Sequence, residues 1–379
     1  MKNHFFILFC LVSLFSCQRK DTTQPVDSGK KTIFVQSDSA HYAQGFEIEM
    51  QGDYSVVKIQ NPWVSGQTLQ TYILAPKSKD LPKNLPKGTL IRTPLERTVC
   101  FTSVLCGFFN ELGVLPTLVG AAEPRYIDIP YVQENVSTGK IRDIGSAANP
   151  NIEMLMVLEP EAIFINPIDE AGAGSLSKLN IPTIQCIEYI ETHPLGQAEW
   201  IRFFGLLFDQ KEKADSLLSA TIDAYNRLKQ LTIQVKYRPS VLTEKKYGDF
   251  WYMPGGKSYM ANLLQDAGAD YVMKNNPDAG SIPFSFETVL YQAEKSDYWL
   301  IKYYSPTELT YRQLAEEFLN YTLFDAYKKR QVYACNTLKT PYYQDLPLHP
   351  DWALSDLIYI FHPELLPKHA LKYYHKLLN

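Results

Sequence analysis

Basic clusters are missing from this sequence. Its 37 Lys and Arg are scattered among 41 Asp and Glu, for a formal net charge of −4, so no face is positive enough to hold a nucleic-acid backbone and nucleic acid is not an expected partner. Cysteine is sparse, with six in 379 residues and none in a CxxC or histidine-interleaved spacing, which leaves no metal-binding motif. Cys100, Cys106, Cys186 and Cys335 sit in apolar contexts and are expected to be buried free thiols. No G-x-S-x-G elbow and no H-E-x-x-H helix occurs, so neither a hydrolase nor a zinc protease has support. A phosphate loop fails too: Gly256-Lys257-Ser258 would end one, but Trp251 stands where its first glycine is required. What the sequence has in quantity is aromatic side chains. They make up 13% of the chain, with 25 Tyr, more than a core ordinarily uses, and point to a cleft that stacks on flat or apolar ligands.

The first residues, MKNHFFILFCLVSLFSCQRKD, carry Lys2, an apolar run over 5–15 and the small Ser16 before Cys17. This is the pattern of a secretory leader, too short to span a bilayer. Leu14-Phe15-Ser16-Cys17 resembles the bacterial lipobox, in which the cysteine is acylated. Residues 1–16 are therefore expected to be a removable leader and Cys17 the lipidation site. Residues 17–32 form a polar linker that cannot fold alone. The expected location is the periplasm, as a membrane-anchored lipoprotein.

Residues 33–92 read as short strands (FEIEM, YSVVKI and TLQTYILA) followed by a Pro- and Lys-rich connector. From Pro94 the rhythm becomes alternating strand and helix, which predicts parallel sheets covered on both faces. The run PLGQAEWIRFFGLLFDQKEKADSLLSATIDAYNRLKQL interrupts it with helical periodicity. Asp209 and Glu212 have the spacing of a capping box, so one helix is expected to end near Phe208 and the next to begin at Gln210. The β/α alternation then resumes. The expected fold is α/β: two Rossmann-like lobes, 93–194 and 236–379, joined by bridging helices at 195–235, with a small N-terminal β extension at 33–92. A cleft between the ends of the two sheets is the expected ligand site.

The segments DIGSAANPNIEMLMVLEPEAIFI, PGGKSYMANLLQDAGADYV, SFETVLYQAEKSDYWLI and DWALSDLIYIFHPEL together resemble the iron-siderophore and vitamin B12 type of periplasmic substrate-binding proteins of ABC transporters. The resemblance spans about 93–366 and implies the class III periplasmic binding protein fold. It implies a monomer that binds a metal chelate without catalysis and hands it to a permease dimer with its cytoplasmic ATPase. In such proteins a glutamate on each lobe docks on the permease; the matching residues are Glu153 and Glu287, each in a first helical turn where a negative charge is favoured. The loops that match the ligand-contacting ones hold Phe101 to Ser103, Arg125, Tyr126, Trp251, Tyr252, Lys302, Tyr303 and Tyr304. Arg125 and Lys302 would pair with carboxylates or catecholates of an anionic chelate, and the aromatics would cover its apolar body. A ferric siderophore is the first expectation, with cobalamin or another corrinoid, then haem, as alternatives. From another class stand a lipoprotein enzyme or a surface adhesin that uses the extension as a partner-binding module. No intrinsic cofactor and no metal ligand set is expected. His362, His369 and His375 are expected at the surface, and His193 alone near the cleft.

Overall fold

The structure, a computed structural model, describes residues 41–168 and 174–379. The expected leader, the expected lipidation site Cys17 and the expected polar linker lie outside the described residues. The extension forms one sheet of four strands in sequence order: β1 (Phe46–Met50), β2 (Ser55–Gln60), β3 (Thr68–Pro76) and β4 (Thr89–Thr93). The first three are antiparallel and β4 joins parallel to β3. The fourth strand was hidden in the sequence by the prolines and lysines before it.

Lobe one holds β5 (Thr98–Cys100), α1 (Ser103–Leu112), β6 (Leu118–Ala121), α2 (Pro130–Ser137), β7 (Arg142–Asp143), α3 (Ile152–Leu158), β8 (Ala162–Ile165) and β9 (Thr183–Gln185). Its sheet is all parallel, in the order β7-β6-β5-β8-β9. Helix α1 starts on Thr102, whose hydroxyl accepts from Val104 N, and stops at Gly113, where φ is +76°.

The bridge comprises α4 (Pro194–Glu199), α5 (Ile201–Leu207) and α6 (Lys211–Thr232). The break falls where expected, but no capping box forms. Asp209 takes the left-handed conformation, φ +55°, and ends α5, which leaves Gln210 as an N-cap without a side-chain bond. Along α6, Leu218 sits in the core of lobe one and Tyr225 in that of lobe two, with Ile222 packed against both. One helix is thus anchored in two cores.

Lobe two holds β10 (Ser240–Thr243), β11 (Lys246–Tyr247), β12 (Phe250–Pro254), α7 (Tyr259–Asp266), β13 (Asp270–Tyr271), β14 (Ser281–Phe284), α8 (Phe286–Ala293), β15 (Tyr298–Tyr303), α9 (Tyr311–Glu317), α10 (Asp325–Lys328), β16 (Val332–Asn336), α11 (Tyr342–Asp345), α12 (Pro350–Phe361) and β17 (Tyr374–Lys376). The main sheet runs β13-β10-β15-β16-β17, parallel except for the last strand. Strands β11, β12 and β14 make a separate antiparallel sheet.

The extension is built into lobe one: Val57, Ile59, Tyr72, Leu74 and Ile91 share one core with Phe203 and Phe204 of α5. The Tyr72 hydroxyl donates to Thr183 O (2.9 Å) and accepts from Gln185 N (2.8 Å). Buried carboxylates complete the seam, with Glu199 accepting from Tyr42 N and Ala43 N, and Glu191 from Gln44 N and Gly45 N. Two expectations are corrected here. The C-terminal histidines do not all lie at the surface: His362 is buried, and His369 and His375 are partly buried. The chain after α12 folds back to add β17, held by the fully buried Asp356, which accepts from His369 Nε2 and from the backbone of Lys372, Tyr373 and Tyr374. His362 is buried against Gly268 O, and His375 packs beside Glu308. The segment FWYMP, expected as a loop, is a strand.

Candidate functional site

A cleft of about 440 Å³ opens between the lobes at the carboxyl ends of their parallel strands, the position a doubly wound sheet offers to ligands. Ser103 follows β5, and Arg125, Tyr126 and Asp128 follow β6. From lobe two come Tyr304 after β15, Thr337 and Thr340 after β16, and Tyr343 and Gln344 of α11. The Tyr126 and Tyr304 rings meet across the cleft, edge to face, with centroids 6.2 Å apart. Gln133 Nε2 donates to Pro124 O and Ile127 O, fixing the Tyr126 loop from α2. Across the gap, Gln344 Nε2 donates to Tyr126 O at 3.3 Å. The Arg125 guanidinium lies 4.7 Å from the Tyr126 ring centre and 3.3 Å from Glu123.

Of the eight expected ligand contacts, four line the cleft and four do not. Ser103, Arg125, Tyr126 and Tyr304 line the cleft. Trp251 does not. It is 0% exposed, its indole N donates to Thr243 O at 3.0 Å, and it packs against Trp299, Tyr321 and Phe324. The strand period explains this: in β12 Trp251 and Met253 turn to the core while Phe250 and Tyr252 turn out. Tyr252 is exposed but is not among the residues lining the cleft.

Lys302 is also not a free cation. It is largely buried and ion-paired with Glu244. Burial works against its charge, but the Glu244 carboxylate prevails and holds the amine protonated beyond the ordinary lysine range. Tyr303 is nearly buried, its hydroxyl donating to Glu308 at 2.6 Å; burial, then that carboxylate, push its pKa up to about 12. The residues the sequence reading missed are Asp128, Thr337, Thr340, Tyr343 and Gln344. The pair Tyr342-Tyr343 after a strand repeats the pattern of Tyr303-Tyr304 and was the available signal.

His193 caps α4 by accepting from Leu195 N and stacks on Tyr42. Among the described residues no group of three or more His, Cys, Asp or Glu converges to hold a metal. Cys100, Cys106, Cys186 and Cys335 are buried free thiols. Glu153 and Glu287 are both exposed, one residue into the helix, behind the N-caps Asn151 and Ser285, which accept from Met154 N and Thr288 N.

The sequence matches the periplasmic binding protein family over residues 99–337. The chain belongs to that family. Its members are substrate-binding transport proteins that work outside the cytoplasm with an ABC permease and ATPase. An uncharacterised lipoprotein of Methanocaldococcus jannaschii is 26% identical over 73% of this chain and 67% of its own length. A periplasmic binding protein from Veillonella parvula superposes with a TM-score of 0.59 at 16% identity, over 84% of this chain and 98% of that one. An ABC-type Fe3+-hydroxamate transport protein from Saccharomonospora viridis gives 0.56 at 18% identity, over 71% and 94%. A periplasmic heme binding protein from Pseudomonas aeruginosa gives 0.55 at 15%, over 71% and 93%. At these identities the solved structures establish the fold, the class III two-lobe architecture. No helix among the described residues is long and apolar enough to cross a membrane.

Proposed function

We propose that this periplasmic binding protein captures a metal chelate, an iron siderophore first of all, in the interlobe cleft and presents it to its ABC importer. The observation that carries this reading is the pair Tyr126 and Tyr304, one from each lobe, closing on a cleft of about 440 Å³ lined by hydroxyl and amide groups. Such a wall grips a bulky, partly apolar body by stacking, and orients it through a few hydrogen bonds. The iron- and haem-related names of the similar structures favour the same class of cargo. In this reading Cys17 carries the lipid anchor, and Glu153 and Glu287 dock on the permease through charge-assisted pairs.

Calorimetric titration of the full chain in detergent with ferric siderophores, cyanocobalamin and haemin tests it. Saturable micromolar or tighter binding of one class is expected, weakened about 10-fold or more in Tyr126→Ala and Tyr304→Ala. Binding untouched by both substitutions would place the cargo elsewhere.

A further inference from the structure

The bases around the cleft are already matched by acids. Four basic side chains lie on or beside its strand-end loops, and each faces a glutamate: Arg125 with Glu123 at 3.3 Å, Lys339 with Glu308 at 2.6 Å, Lys245 with Glu317, and Lys302 with Glu244. The cleft adjoins a second cavity that shares Tyr304. Among the described residues the two linings together hold two cations, Arg125 and Lys245, against three carboxylates, Asp128, Glu308 and Glu317. Among the described lining residues no surplus positive charge waits for a ligand. Confining a polyanion here would set it against these carboxylates in a partly desolvated space, where like charges repel strongly.

We infer that the cargo is a chelate of near-zero net charge, one whose metal charge is cancelled by its own ligand groups. This deepens the reading under Proposed function and rests on it. For ferric iron the distinction is chemical: a tris-hydroxamate balances the metal, whereas a tris-catecholate leaves several negative charges uncompensated. The rest of the wall suits an uncharged body, with Tyr126, Tyr304 and Tyr343 for its apolar surface and Ser103, Thr337, Thr340 and Gln344 for its carbonyls and hydroxyls.

The test is a competition in calorimetry, using the full chain with an uncharged ferric tris-hydroxamate, a ferric tris-catecholate and uncharged cyanocobalamin. An uncharged probe is expected to bind at least about 10-fold more tightly than the tris-catecholate. Glu123→Gln, which frees the exposed Arg125, is expected to tighten tris-catecholate binding by about 2–5-fold. Equal or tighter binding of the tris-catecholate to the unaltered chain overturns the inference and leaves the proposed function standing. Preference for cyanocobalamin upholds the charge class and replaces iron in the proposed function. Binding of none of the three overturns the proposed function itself.

Discussion

Single residues in this protein are governed by how burial treats charge. Glu188 is 1% exposed, and both its oxygens accept from Asn166 Nδ2. Burial raises its pKa, the Asn166 bond opposes that, and the nearby Glu191 charge adds to it, with the result pushed to about 7 from an ordinary 4.5. The folded state therefore holds the proton more tightly than the unfolded one. This contribution to stability is fully present below about 4.5, is lost as the pH rises through 7, and stays lost above it. Glu188→Gln is expected to flatten that slope in urea unfolding between pH 4.5 and 7, and to stabilise the protein at higher pH by on the order of 3 kcal/mol. An unchanged slope would assign the pH dependence to other groups. Trp251 and Lys302 teach the complementary lesson. Their residue types are those of a ligand site, but a strand's alternation and an ion-pair partner 58 positions away decide what each one touches.

Elements were more legible than their partners. Ser258 and Ser285 N-cap α7 and α8 as their sequences suggest, because a serine before an apolar helical run satisfies a free backbone donor locally. The 310 turn at Leu319–Leu323, β4 and β17 were not legible, since each is fixed by neighbours distant in sequence. Helices α1 and α11 show the same dependence at closest range. A Cβ on Gly107 would lie 2.1 Å from Gln344 O, so the two lobes touch backbone to side of helix, and only glycine permits it. Gly107→Ala is expected to cost about 1–3 kcal/mol through overpacking. It is also expected to weaken cargo binding, because α11 carries Tyr343 and Gln344 into the cleft. Denaturant unfolding and titration on the same variant check both effects, and wild-type values for both would show that the helices part without cost.

At the scale of the whole molecule, α6 rooted in two cores and the α1–α11 contact tie the lobes to each other. In the proposed reading the permease recognises the loaded protein through Glu153 and Glu287, which are exposed first-turn charges behind capped helix starts. The double substitution Glu153→Lys with Glu287→Lys is expected to abolish uptake in cells while cargo affinity stays within about 2-fold of wild type. Full uptake would remove both residues from the docking surface. The sequence by itself determined the two-lobe α/β plan and the helical bridge, because strand and helix periods, caps and turns are local and leave their mark within a dozen residues. Only the tertiary structure decided that the extension is part of the first core, that Trp251 is interior and that the bases near the cleft are neutralised. Those outcomes depend on long-range pairings, such as Tyr72 with Thr183, Glu199 with Tyr42 and Glu244 with Lys302, which no local pattern encodes.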